Sequence, residues 1–181
     1  RYTQLGLDKG TISNTLFQQL STYYQSCSDS DKRDEIVEGA FLNNQTDSVP
    51  SELIDIPDNL RQEIISELLP RCEKWSQSEL EFSALYGIRV YKRGTSLKMH
   101  TDTDSTHIIS VILNIAQQVD SDWALDIDDH MERRHSVNLA PGEILFYEGA
   151  RLSHGRPSPL NGESYANIFL HFRPKDLDLK T

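Results

Sequence analysis

The sequence predicts an α+β protein with a mainly β core, in which helices pack on a two-sheet β-sandwich or jelly roll. Apolar residues recur at helical spacing through the first 80 residues. From Leu80 onward they fall instead into short runs about ten residues apart, each the length of a strand. No run is long enough to span a bilayer in this chain of 181 residues and mean hydropathy −0.53, so no membrane partner is expected.

The elements follow in order. Residues 15–24 place Leu16, Leu20, Tyr23 and Tyr24 at helical spacing. The polar stretch 43–51 reads as a loop. It contains Asn44-Gln45-Thr46, a glycosylation sequon of a kind that often arises by chance. Pro57-Asp58-Asn59-Leu60 opens a second helix with Leu60, Ile64 and Leu68 on one face, and Pro70 is expected to kink or interrupt it before Trp75. Strands are expected over 85–91, 107–115, 123–127, 135–139, 144–147 and 165–172, with turns at 92–95 and at Pro141-Gly142-Glu143.

Charge divides the chain. Its 28 acidic and 18 Lys+Arg side chains give a formal net charge of −10. Residues 1–84 hold 15 acids and 7 bases, and residues 85–181 hold 13 and 11. An acidic surface repels phosphate backbones, which argues against a nucleic-acid partner. The acidic half reads as a solvated helical surface. All six histidines (His100, His107, His130, His135, His154 and His171) fall in the second half, where the chemistry is to be sought. Cys27 and Cys72 are too few for a disulfide scaffold or a Cys-based zinc module and read as unpaired thiols. No signal-peptide pattern is visible, and the chain opens at Arg1 rather than Met, which leaves its compartment open.

The chemistry-bearing residues are His100, Asp102 and, further along, His154. If 100–102 are extended, His100 and Asp102 share a face, because strand side chains alternate. A third ligand from a neighbouring strand would complete a two-histidine, one-carboxylate set. Such a set leaves open coordination positions, as Fe(II) oxygenases require. Alone, a His-x-Asp pair is more often a surface feature of a turn.

The surrounding residues narrow this reading. In order, Tyr91-x-x-Gly94-x-x-Leu97-x-x-His100-x-Asp102, Ser110-Val-Ile-Leu-Asn114, Ala140-Pro141-Gly142-Glu143 and Phe146 are followed by His154-Gly155-Arg156-Pro157, Asn161-Gly162 and the run 165–172. Together they resemble the catalytic region of 2-oxoglutarate/Fe(II)-dependent dioxygenases of the prolyl 4-hydroxylase type. The resemblance covers residues 85–173. It implies a double-stranded β-helix over 85–181 with an N-terminal helical support region over 1–84, together one compact domain. It also implies Fe(II) held by His100, Asp102 and His154, with 2-oxoglutarate and O2 as co-substrates and ascorbate as reductant. The reaction would hydroxylate a C–H bond while 2-oxoglutarate is decarboxylated to succinate and CO2. The implied partner is a proline-containing peptide or protein, presented as an extended polyproline II segment.

The resemblance further implies a base for the distal carboxylate of 2-oxoglutarate, ideally Arg, shortly after the second histidine. That stretch here is Gly162-Glu163-Ser164-Tyr165, without one. Arg156 is the nearest replacement, expected at the rim because Pro157 ends the strand, with Arg173 and Lys98 as alternatives. Tyr91 takes the place of the pocket's hydroxyl donor. Ser164 and Asn167 read first as plain strand residues, and Trp123 reads as core rather than as a ring for stacking substrate. The register favours Asp102 over Asp104 as ligand. His107, His130, His135 and His171 read as structural or exposed, while Arg133 and Arg134 lie in a loop able to reach a substrate. The expected activity is therefore hydroxylation of peptidyl proline. The alternatives are hydroxylation of another side chain or of a small molecule, and a non-catalytic metal-binding jelly roll, which the missing base favours.

Overall fold

The computed structural model describes residues 1–44 and 49–177. The chain runs through β1 (Leu7–Thr11), α1 (Asn14–Ser26), β2 (Lys32–Asp34), β3 (Leu42–Asn44), β4 (Ser51–Ile54) and α2 (Asp58–Ser76). It continues through β5 (Leu80–Lys92), β6 (Thr95–His100), β7 (Ile109–Val119), β8 (Leu125–Asp128), β9 (Arg134–Val137), β10 (Glu143–Tyr147), β11 (His154–Arg156) and β12 (Gly162–Pro174). The larger antiparallel sheet has the order β1-β10-β7-β12-β5-β4-β2, and the smaller one β3-β6-β11-β8-β9. From β5 onward the chain crosses between the sheets at nearly every step, which is the winding of a jelly roll. The fold class read from the sequence is the one observed.

Two apolar layers hold the fold. Leu16 and Leu20 of α1 and Leu60, Ile64, Leu68 and Cys72 of α2 are buried with Ile88, Ile109, Ile144 and Ile168 of the larger sheet. Between the sheets, Ile112 and Leu145 meet Leu125 and Ile127. Burial of these side chains removes apolar surface from water at about 25 cal/mol per Å². Ser13 caps α1 by accepting a hydrogen bond from the Leu16 N–H at 3.2 Å.

Pro70 does not interrupt α2, which runs on to Ser76 and ends at Gln77 in the left-handed conformation (φ 52°). Pro70 and the residue one turn before it, Ser66, both face solvent, so the carbonyl that loses its N–H partner can be hydrated. Both cysteines are free, and burial pushes the Cys72 thiol up to about 12, which leaves it an inert core group.

Residues 1–84, expected as a helical support region, hold both α-helices of the fold and short strands besides. They contribute β1 and β4 to the larger sheet, with β2 at its edge, and β3 to the smaller one. The 84/85 division falls inside β5. These strands are three to five residues long, and β1 joins the sheet through its backbone with no alternation in burial, so they carry little period-two signal. The stretch 43–51 begins and ends in strand, and Gln45 and Thr46 of the sequon lie outside the described residues.

One buried carboxylate fastens the start of the chain. Glu148 accepts from the N–H groups of Tyr2 and Thr3 (2.7 and 3.2 Å), from Thr3 Oγ1 (2.8 Å), and meets His130 Nε2 at 2.6 Å. It is fully buried and immediately precedes Gly149, whose carbonyl accepts from the Asp102 N–H.

Candidate active site

β6 and β11 run antiparallel with His100 and His154 directly opposite, so the two imidazoles meet across the ladder with ring centroids 4.5 Å apart. β6 ends at His100, so Asp102 does not follow on the strand as expected. It is turned in by its N–H, which donates to the Gly149 carbonyl at 2.9 Å. Asp102 Oδ1 then lies 3.6 Å from His100 Nε2 and 3.4 Å from His154 Nε2, and the three ligand atoms are all within 4.8 Å of one another.

Each histidine is oriented by its other nitrogen. His100 Nδ1 is 2.8 Å from the Lys98 carbonyl and His154 Nδ1 is 2.8 Å from that of Leu152. A carbonyl only accepts, so each Nδ1 carries a proton and donates, which turns each Nε2 toward the shared point beside Asp102 Oδ1. Phe41 stacks on the His100 ring at 4.2 Å, and the Tyr147 hydroxyl donates to Asp102 Oδ2 at 3.3 Å. Burial pushes the Asp102 carboxyl up, but hydrogen bonding with both histidines outweighs it and leaves the group well below the usual carboxylate range. Burial, and then the charge on Asp102, drive Tyr147 the other way, so its phenol stays protonated as a donor. Two imidazole nitrogens and a carboxylate oxygen converging on one side of a cavity fit a divalent transition metal with open positions.

Gly149 is required by this packing. A Cβ there would collide with Asp102 Oδ2 and lie 3.0 Å from Tyr147 Cε2 and 3.1 Å from Ser110 Oγ. Gly149→Ala is therefore expected to displace the carboxylate and lower metal affinity about 10–100-fold with the fold retained. Titration of Ni(II) into the folded variant checks this, and wild-type affinity would show that the carboxylate does not depend on the glycine.

The three residues line a cavity of about 420 Å³ that also holds Tyr91, Arg156, Arg89, Glu35, His107 and His171. Arg156 is not at the rim, as expected, but 1% exposed. Its guanidinium lies between the rings of Trp123 (4.7 Å) and Tyr165 (4.9 Å), whose bulk draws it inward. Nη1 donates to the Trp123 carbonyl and Nη2 has no partner. Among the described residues no carboxylate pairs with Arg156. Tyr91 is fully buried, opposite Tyr165 in the sheet and edge-on to the same Trp123 ring at 5.0 Å, and its hydroxyl has no partner among the described residues. A buried cation without a counter-ion among the described residues, and a buried hydroxyl without a partner there, are costly, and both would be satisfied by a carboxylate.

The other candidates are placed elsewhere. Lys98 is exposed, and Arg173 is paired with Glu81 at 2.9 Å; neither lines the cavity. Ser164 and Asn167 do not line it either, and Asn167 accepts from Asn114 at 2.9 Å. Trp123 is core, as read, with its indole N–H donating to Ser158 at 2.7 Å. Asp104 is exposed. His135 and Arg133 pair with Asp129, Arg134 pairs with Asp128, and none of these reaches the cavity.

His107 and His171 do line the cavity, and sequence reasoning missed this. Their ring centroids are 3.8 Å apart, with His171 Nδ1 bonded to Ser110 Oγ at 2.7 Å. Burial holds both down, His171 to about 3. An unfolded histidine titrates near ~6.5, so below that pH the unfolded chain takes up a proton that folded His171 refuses. This contribution is complete above ~6.5 and is lost as the pH falls toward 3. His171 should account for about 2 kcal/mol of the stability that the metal-free protein loses between pH 7 and pH 5, so the loss measured in denaturant melts should be smaller by about that much in His171→Asn. Equal slopes in the two proteins would show that His171 does not carry the effect.

No protein-family model and no curated protein matches the chain. Solved structures do. A prolyl-4-hydroxylase of Pseudomonas putida aligns over 95% of this chain and 94% of its own, at TM-score 0.67 and 12% identity. A Trichoplax adhaerens prolyl hydroxylase, in complex with a hypoxia-inducible-factor peptide fragment, aligns over 97% and 87%, at 0.66 and 13% identity. HygX of Streptomyces hygroscopicus, with nickel, 2-oxoglutarate and hygromycin B bound, aligns over 94% and 84%, at 0.67 and 11% identity. At such identities the likeness is one of fold: the chain has the jelly-roll fold of these 2-oxoglutarate/Fe(II) oxygenases.

Proposed function

We propose that the chain is an Fe(II)/2-oxoglutarate-dependent dioxygenase that hydroxylates peptidyl proline. The observation that carries this reading is that His100, Asp102 and His154 line the same cavity as Arg156, a buried guanidinium without a counter-ion among the described residues. Iron and 2-oxoglutarate, when bound, supply the oxidation: O2 is consumed, one oxygen atom enters the target C–H bond and the other enters succinate, and CO2 leaves.

The chain's own residues supply position and exclusion. His100, Asp102 and His154 would hold the metal through Nε2, Oδ1 and Nε2, with Tyr147 restraining the free carboxylate oxygen of Asp102. Arg156 and Tyr91 would take the distal carboxylate of 2-oxoglutarate, Arg156 through Nη2 and Tyr91 through its hydroxyl. Their burial keeps water from competing for that carboxylate and strengthens the contact. Arg156 on the cavity wall also weighs against a non-catalytic module, since the base missing from 162–165 was what favoured it. The proline-peptide target is supported by the motif resemblance and by a fold shared with a peptide-bound prolyl hydroxylase. Ascorbate would serve as an external reductant.

The test is an anaerobic titration with Fe(II) and then 2-oxoglutarate, followed by decarboxylation assays with and without a proline-rich peptide. A visible charge-transfer band and peptide-stimulated decarboxylation are expected. Bound iron without a band would remove the co-substrate half of the proposal. A band without peptide stimulation would move the target to another side chain or a small molecule.

A further inference from the structure

The cavity contains a second guanidinium, Arg89, which sequence reasoning passed over. It lies on β5, two residues before Tyr91, with its guanidinium 4.9 Å from the Phe169 ring. β5 is hydrogen-bonded on both sides, Arg89 standing opposite Asn167 of β12 and Leu53 of β4, so this cation is mounted on rigid sheet. Its counter-ion is Glu35, in a two-pronged contact: Nε to Oε2 at 2.8 Å and Nη2 to Oε1 at 2.7 Å. The pair is nearly dry, with side chains 13% and 10% exposed.

The anion is mounted differently. Residues 35–41 form a strap between β2 and β3 with no regular structure, turning at Gly39 (φ 98°) and Ala40 (φ 53°). Ile36 is 93% exposed, and Glu38, Gly39 and Ala40 are exposed as well. Backbone hydrogen bonds tie the strap near its ends, Glu35 N–H to Ser51 at 3.1 Å and Lys98 N–H to Phe41 at 2.7 Å. Its inward side chains, Glu35, Val37 and Phe41, wall the cavity over His100. Lifting this strap would leave the largely buried Arg89 without its counter-ion and the buried Ser51 hydroxyl, which donates to Glu35 Oε2 at 3.0 Å, without its acceptor, a state that is strongly unfavourable unless another carboxylate takes the place of Glu35.

We propose that Arg89 is a carboxylate-binding position for the target, and that Glu35 is its built-in stand-in, displaced when a target bearing its own carboxylate enters. This deepens the proposed oxygenase function and rests on it: the hydroxylated target would be acidic, with a carboxylate near the reacting C–H bond. Charge favours the exchange, because one carboxylate replaces another while Arg156 remains free for the co-substrate. An uncharged target offers nothing in return for Glu35.

The experiment uses the metal-free chain, so it does not depend on turnover. N-acetylglutamate amide, with one carboxylate, and its uncharged analogue N-acetylglutamine amide are titrated while the arginine Nε–H resonances are followed by NMR. The Arg89 signal is identified by its loss in Arg89→Lys. In Glu35→Gln the carboxylate probe is expected to shift that signal and bind at least tenfold tighter than in wild type, with the amide analogue inert. Arg156→Gln should leave the effect intact. Equal binding of the two probes in Glu35→Gln, or loss of the effect in Arg156→Gln, would overturn the proposal. Failure of the oxygenase reading itself would be seen separately, as bound metal that does not recruit 2-oxoglutarate in the wild-type protein.

Discussion

In His154→Ala, the absorption band formed by Fe(II) and 2-oxoglutarate together is expected to disappear, metal affinity to fall by more than about 100-fold, and turnover to drop to background. His154 is the ligand with the least freedom. It is 3% exposed, paired across the ladder to His100, and held through Nδ1 to the Leu152 carbonyl. No other histidine is placed to replace it, since His107 and His171 are engaged with Thr106 and Ser110. The fold should survive, because the lost side chain faces the cavity and its strand keeps its partners in β6 and β8. The stability of the metal-free variant should lie within about 2 kcal/mol of wild type. Unaltered turnover in a folded His154→Ala protein would remove the metal reading altogether.

Arg156→Met should show two effects of opposite sign. In the ligand-free protein it removes a buried cation that has no counter-ion among the described residues and puts an unbranched apolar chain between Trp123 and Tyr165. Replacing buried charge by apolar volume is neutral or stabilising by about 1–4 kcal/mol, so the apparent melting temperature should hold or rise. Affinity for 2-oxoglutarate on the metal-loaded protein should fall by about 10²–10³-fold, the loss expected when a buried charge loses its partner. Thermal melts and 2-oxoglutarate titrations on one preparation separate the two effects. A wild-type 2-oxoglutarate affinity would transfer the anchor to another base, with Arg89 the first to examine. A site residue whose removal stabilises the empty protein is what a strained, ligand-dependent position predicts.

The parts legible in the sequence were those with a periodic or spaced signal. The faces of α1 and α2 followed from leucine and isoleucine spacing, and β7 and β12 from their β-branched and aromatic runs. His100, Asp102 and His154 were legible as a pattern, although the structure brings Asp102 in by a turn at Gly149 and not along a strand. Arg89 could have been found, since strand alternation puts it on the face of Tyr91. Glu35 could not, because only the path of the strap brings it 54 positions along the chain to Arg89. The depth of Arg156 was hidden for a similar reason: it depends on Trp123 and Tyr165, which meet around it from separate parts of the chain.

The clasp between Glu148 and residues 2–3 makes those residues part of the support beneath the candidate metal site. Trimming them would withdraw three donors from a carboxylate that has no solvent to turn to, leaving His130 as its partner. The disturbance would begin one residue from the carbonyl that aims Asp102. Substitutions at residues 2 and 3, which touch none of His100, Asp102 and His154, would thus be expected to register as weaker metal binding.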